Sequence, residues 1–170
     1  MLKVTRATDP ELAALVDKEL ERQEHNIEMI ASESTAPLAV MELSGSVFTN
    51  QTREGYPGKR FQAGSQGADE VETMACERAC KLFGAEHANI QSYSGSTANY
   101  SVYASILQPG DKILSMRLDQ GGHLTHGSPA NWVSKIYHFE FYAMDPKTEL
   151  IDYDALEAQA KEYQPKLIIA

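Results

Sequence analysis

Beyond residue 85, short apolar runs alternate with helical stretches, and that alternation restricts the architecture more than any other feature of the chain. "HANIQ" reads as a strand, "TANYSVYASIL" as a helix beginning near Thr97, "DKILSM" and "KIYHFEFYAM" as strands, "YDALEAQAKEY" as a helix capped by Asp152, and "PKLIIA" as a strand. Strands separated by helices predict a largely parallel α/β sheet with helices on its faces. Ala170 ends an apolar run that has just left its helix, which points to a domain cut inside its βαβ rhythm; an edge strand closing the sheet is the alternative.

Upstream the texture differs. Asp9 and Pro10 have the residue types of an N-cap and a first helical position, and Leu12, Leu15, Val16 and Leu20 recur at helical spacing behind them. The charge run over residues 17–24 suits a solvated face of that helix. From Ile30 to Gly67 glycines and prolines break the pattern, apart from a short helical piece around residues 37–48. A loop of this length inside a compact domain is uncommon, and Tyr56 and Phe61 together with mixed charges predict an ordered one. Val71, Met74, Ala75, Arg78, Ala79, Leu82 and Phe83 then recur at helical spacing until Gly84 supplies a stop.

Composition narrows the function. The 170 residues are 42% hydrophobic, enough for one domain or a large part of one. A net charge of −9 repels phosphate backbones and anionic lipid, which argues against nucleic-acid and membrane-surface roles. No apolar run approaches the roughly 20 residues that cross a bilayer, and the polar start has no apolar signal segment, so a cytoplasmic protein is expected. Cys76 and Cys80 fall within one helical stretch and read as ordinary small side chains.

Two loops carry the candidate chemistry. In "NIQSYSGSTANYSVYASIL" a strand runs through Ser94, Gly95 and Ser96 into a helix, gathering amides and hydroxyls at a positive helix end. That is either a cup for a phosphate monoester or a plain serine cap. "DQGGHLTHG" follows the next strand and would open beyond the same carboxyl edge of the sheet, where His123 could present its ring to whatever the phosphate carries. A metal on His123 and His126 has little support, because no carboxylate or Cys nearby completes a ligand set; loop packing is the stronger alternative, above all for His126. Glu54 in "TREGYPGKRFQAG" is a candidate general acid or base, a role that partial burial would suit, or a solvated carboxylate beside basic neighbours. Ser32 in "IASES" could be a local cap.

Taken together and in order, "MIASES", "EGYPGKR", "LFGAEHANIQSYSGSTAN", "LQPGDKIL", "GGHLTHGSPAN" and "IDYDALE" resemble serine hydroxymethyltransferase, over nearly the whole chain. The resemblance implies the large domain of a fold type I pyridoxal-phosphate transferase, of the aspartate aminotransferase-like kind, incomplete and preceded by a helical N-terminal arm. On that basis residues 1–30 are expected as the arm, 31–67 as an irregular active-site segment and 68–170 as the first part of the α/β cofactor-binding domain, cut at its C-terminal end. The implied reaction interconverts serine and glycine, with pyridoxal phosphate as cofactor and tetrahydrofolate as one-carbon acceptor. His123 would stack on the cofactor ring, and Ser94, Gly95 and Ser96 would hold its phosphate. Ser32 would hold the substrate carboxylate, Glu54 would handle protons near the hydroxymethyl group, and Leu118, Gly122 and Leu124 would form part of the folate wall. The Glu54 loop would reach a neighbouring subunit, which implies a homodimer.

The departures point to alternatives. Thr52 and Gln62 stand where the family usually has tyrosines, and Tyr93 and Gln120 where it commonly has histidines. A diverged β-hydroxy amino acid aldolase, a transaldolase or an α-methylserine hydroxymethyltransferase is one alternative. The family's cofactor-bonding lysine lies in a threonine-rich His-Lys run that no lysine here matches, so residues 1–170 alone are expected to be inactive, with a separate C-terminal chain as one candidate partner. An inactive binding or dimerisation module is the alternative from another class.

Overall fold

The structure is a computed structural model that describes residues 2–170. It forms two compact units that divide between Glu70 and Val71.

In the first unit, α1 (Lys3–Thr8) precedes α2 (Pro10–His25), and the expected cap is formed: Asp9 Oδ1 accepts from Leu12 N–H at 2.9 Å. Arg6 on α1 donates to both carboxylate oxygens of Asp17 on α2, at 2.6 and 2.9 Å, and Ala13 is wholly buried. The apolar stripe Leu12, Leu15, Val16 and Leu20 stays open within its unit, each residue at least 43% exposed. After α3 (Leu38–Ser44) and a 3-10 turn at Val47–Asn50, an antiparallel hairpin forms from β1 (Gly55–Tyr56) and β2 (Lys59–Arg60). Sequence reading missed this hairpin, because two-residue strands have no alternation to detect.

One guanidinium organises the hairpin. Arg60, its side chain 5% exposed, donates through Nε to Asp69 Oδ1 at 2.8 Å and through a terminal nitrogen to the carbonyls of Arg53 and Gly55, at 2.9 and 2.7 Å. Asp69 Oδ2 accepts from Gly58 N–H at 2.9 Å, closing the circuit. The Arg60 guanidinium and the Gly58 amide together hold the Asp69 carboxyl below its ordinary range. Asp69 lies in α4 (Gln66–Phe83), which ends where Gly84 turns left-handed with φ 63°.

The second unit contains the parallel sheet. Its order is β4–β3–β5, with β3 (Lys112–Met116) between β4 (His138–Tyr142) and β5 (Leu167–Ile168). Both pairings are parallel: Lys112 aligns with His138 and Met116 with Tyr142 on one side, and Ile113 with Leu167 on the other. The central position buries Ile113, Leu114 and Ser115 completely. α6 (Tyr153–Tyr163) connects β4 to β5 and has the expected cap, Asp152 Oδ1 accepting from Ala155 N–H at 2.9 Å. The β3–β4 crossover contains no α-helix; 3-10 turns at Leu118–Gln120, Leu124–His126 and Trp132–Lys135 make it.

α5 (Gly95–Ile106) packs on this crossover. Tyr103 and Leu107 join Ile113, Val133 and Tyr137 in the core, the two phenol rings meeting edge-on at 6.1 Å. Tyr100 packs on Trp132 at 4.9 Å, and Asn131 Nδ2 donates to its hydroxyl at 3.0 Å.

One expected element is absent, because residues 87–91, "HANIQ", form no strand. Ile90 is 42% exposed, Asn89 Oδ1 captures the Gln91 amide at 2.9 Å, and the Gln91 side chain donates to Glu72 at 2.7 Å. Local side-chain bonds thus claim backbone that a ladder would need, and no neighbouring strand offers one. Among the described residues no helix is long and apolar enough to cross a membrane.

Two substitutions check these supports. Gly127 has φ 100°, and a Cβ there would lie 2.3 Å from Phe139 Cγ; Gly127→Ala should lower stability by roughly 2–4 kcal/mol, read as a shifted urea midpoint. Asp69→Asn should accelerate amide exchange at Gly58 and Phe61 well beyond any change in α4.

Candidate active site

Ser94, in extended backbone with φ −156° and ψ 160°, caps α5, its Oγ accepting from Thr97 N–H at 3.2 Å and lying 3.0 Å from Thr97 Oγ1. The helix thus starts at Gly95, two residues earlier than the pattern suggests, so the amides of Gly95 and Ser96 are among those that lack intrahelical acceptors. No acidic residue stands in the first turn, and a Cβ built on Gly95 meets nothing within 4 Å. An anion can therefore approach this backbone closely, toward the positive end of the helix. Ser94 and Gly95 are exposed and Ser96 is half-buried, so the cup opens outward.

His123 lies beyond the carboxyl end of β3. Its Nδ1 accepts from Thr125 N–H at 3.2 Å and lies 2.8 Å from Thr125 Oγ1. Thr125 is wholly buried; its Oγ1 accepts from Asn99 Nδ2 at 2.7 Å and its carbonyl from the Tyr103 hydroxyl at 3.0 Å, both residues of α5. Burial pushes the Tyr103 phenol up. The same helix that carries the cup at its first turn therefore holds the His123 loop one and two turns later.

His126 ties the loop to itself and to the central strand. Its Nδ1 accepts from His123 N–H at 3.1 Å, and its carbonyl accepts from Ser115 Oγ of the central strand at 2.7 Å. Burial, followed by the neighbouring His123, pushes its imidazole below the ordinary value of 6.5. No group of three His, Cys, Asp or Glu side chains suited to a metal occurs among the described residues.

A cavity of about 180 Å³ opens beside His123, walled by Met116, Leu118, Pro129 and Phe141. Arg117 and Asp119 stand at its side as an exposed bidentate ion pair, with bonds of 2.9 and 2.8 Å. Leu118 and Leu124 are about half exposed, 50% and 48%. Gly122 instead presses on the end of β3, where a Cβ would lie 2.3 Å from the Met116 carbonyl oxygen. Gln120 Oε1 accepts from Met144 N–H at 2.7 Å, tying the loop after β3 to the one after β4.

Ser32 and Glu54 belong to the first unit. Ser32 is exposed in the turn after α2. Glu54 is also exposed, so the partial burial that would suit a general acid is not supplied within that unit. The Gln62 amide grips Glu54 from two sides, its Oε1 accepting from Glu54 N–H at 2.9 Å and its Nε2 reaching the carboxylate at 3.4 Å.

Sequence reading did not single out Thr125, Asn99 or Tyr103, and it marked Gln62 only as a departure from the family's usual tyrosine. Asn99 and Tyr103 lie four apart on α5, a spacing that places them on one face, and that was the available signal.

The buried His126 yields a pH prediction. Its folded state binds a proton less readily than its unfolded state, so the stability it contributes is complete above about pH 6.5 and declines as pH falls below that. Urea midpoints should fall between about pH 7 and 5, and His126→Gln should flatten that slope.

The fold and this site have an outside counterpart. The family model described as serine hydroxymethyltransferase matches residues 5–170. With all but its first four residues inside that match, the chain belongs to the serine hydroxymethyltransferase family, a family of serine and glycine interconverting enzymes.

Proposed function

We propose that this chain carries part of the site of a fold type I, pyridoxal-phosphate-dependent enzyme that interconverts serine and glycine, with tetrahydrofolate as one-carbon acceptor. The observation that carries the proposal is the shared clamp: one helix supplies an anion-ready N-terminus and also, through Asn99 and Tyr103, holds the loop of His123. A flat ring bearing one phosphate monoester matches that pair of features. The open Gly95 backbone, the hydroxyls of Ser94 and Ser96, and the lack of acidic residues in the first turn fit the phosphate group.

When bound, pyridoxal phosphate supplies an electron sink for bonds broken at the amino acid's α-carbon. The protein's own contributions are positional. Ser94, Gly95 and Ser96 would hold the phosphate, and His123 would stack on the ring. Ser32 binds the substrate carboxylate, and Glu54, steadied by Gln62, moves a proton near the hydroxymethyl carbon. Leu118, Gly122 and Leu124 would form part of the folate wall. Lys112 and Lys166 are not candidates for bonding the cofactor aldehyde: they sit at the starting edge of the sheet, donating to the Tyr163 carbonyl and Asp111 at 3.1 and 2.8 Å. The open apolar faces of α2 and α4 support a homodimer, in which the Glu54 loop serves the neighbouring subunit.

Gln62 favours a second reading. Its amide occupies Glu54 in a position where the family usually has a phenol, which supports a diverged aldolase, transaldolase or α-methylserine hydroxymethyltransferase. Comparing folate-dependent serine cleavage with folate-independent cleavage of a β-hydroxy amino acid and with turnover of α-methylserine separates the two.

Absorbance titration of the chain with pyridoxal phosphate should show saturable binding, weakened about tenfold or more by Ser94→Ala and further by Gly95→Asp, which sets a carboxylate at the helix N-terminus. Unchanged affinity in both variants would remove the cup from the proposal. Borohydride reduction of the mixture should leave Lys112 and Lys166 without stoichiometric labelling.

A further inference from the structure

Thr125 has no place among the groups expected to touch cofactor or substrate, yet it is wholly buried and hydrogen-bonded through backbone and side chain. It is 0% exposed, and it makes hydrogen bonds through its backbone N–H, its carbonyl and its hydroxyl. The direction of each bond follows from its partners. Asn99 Nδ2 donates to Thr125 Oγ1 at 2.7 Å and lies farther, 3.5 Å, from His126 Nε2, so the Thr125 hydroxyl accepts and its own proton is left to point elsewhere. The nearest acceptor is His123 Nδ1, 2.8 Å away, which also takes the Thr125 N–H at 3.2 Å. Two donors on one ring nitrogen leave it bare, and the ring proton of the neutral imidazole must then sit on Nε2.

We infer that Asn99 and Thr125 form a positioning relay that sets the tautomer and the ring plane of His123. Resting on the reading of His123 as the ring-stacking residue, this adds two residues that govern it without touching the cofactor. The relay makes the His123 ring plane depend on α5, the helix that begins at the phosphate cup. A bare Nδ1 directed into the protein also leaves the donor Nε2–H as the outward edge of the ring, so a polar ligand atom at that edge is selected as an acceptor.

The test uses the full 170-residue chain labelled with ¹⁵N at histidine, without cofactor, at about pH 8, above the ordinary imidazole range. Long-range ¹H–¹⁵N correlation spectra should show His123 as a single Nε2–H tautomer, and Thr125→Ser, which keeps the hydroxyl, should retain it. Thr125→Val removes one of the two donors, and Asn99→Asp turns a donor into an acceptor that draws the Thr125 hydroxyl proton away; each should populate the Nδ1–H form. Because Asn99→Asp leaves Thr125 in place, it keeps the test decisive even if Thr125→Val fails to fold. A His123 pattern unchanged in Asn99→Asp and in folded Thr125→Val would overturn the relay. Pyridoxal phosphate titration of the same variants separates this from the stacking reading. If the relay sets the ring plane, Thr125→Val and Asn99→Asp should bind several-fold more weakly and Thr125→Ser like the parent. His123→Ala with parental affinity would instead sink the stacking role.

Discussion

A hydroxyl sealed inside an apolar core costs stability unless each of its polar atoms finds a partner, and in the second unit that requirement falls on Thr125. Its partners come from α5 on one side and from His123 on the other. Meeting the demand therefore joins a helix to a loop from a different part of the chain. The central strand contributes the matching constraint: Ser115, equally buried, satisfies its hydroxyl on the His126 carbonyl. The loop after β3 is thus held from below by the strand and from the side by the helix, and its outward face is free to present His123. Apolar packing of Tyr103, Leu107, Ile113, Val133 and Tyr137 supplies the bulk stabilisation, while the buried polar bonds decide which arrangement of that core is allowed.

The first unit is built on a different balance. Its best-sheltered charge, the Arg60 guanidinium, holds a hairpin of two-residue strands through two carbonyls and one carboxylate. So short a hairpin cannot persist on its ladder alone, and here the ion pair and carbonyl bonds take the role that burial plays elsewhere. The apolar stripe of α2 remains largely exposed, and so, in the part of α4 that belongs to the second unit, do Val71, Met74, Leu82 and Phe83. Apolar residues at helical spacing form a stripe of the kind that helices bury, and here it stays open to solvent.

The parallel sheet, its helices and both aspartate caps were legible in the sequence because each rests on local rules: period, capping residue, glycine stop. Asp152 and Asp9 cap as their positions suggest. "HANIQ" misled because alternation says nothing about whether a partner strand is available, and Asn89 with Gln91 offered the backbone local bonds instead. The hairpin at Gly55–Tyr56 and Lys59–Arg60 escaped notice because its cause, Arg60 meeting Asp69, spans loop and helix. In the site, Ser94, Gly95, Ser96 and His123 stood out by residue type, whereas Thr125 and Asn99 did not; their significance arises only when residues 26 apart in sequence meet.

The strand order has a consequence for synthesis. β3 pairs with β4 on one edge and with β5 on the other, and β5 begins 25 residues after β4 ends. As the chain emerges from a ribosome at roughly 5–20 residues per second, one edge of β3 can pair first while the other waits on the order of 1–5 seconds for Leu167. During that interval the edge carrying Ile113 and Leu114, which ends wholly buried, is available to a holdase or to another nascent chain.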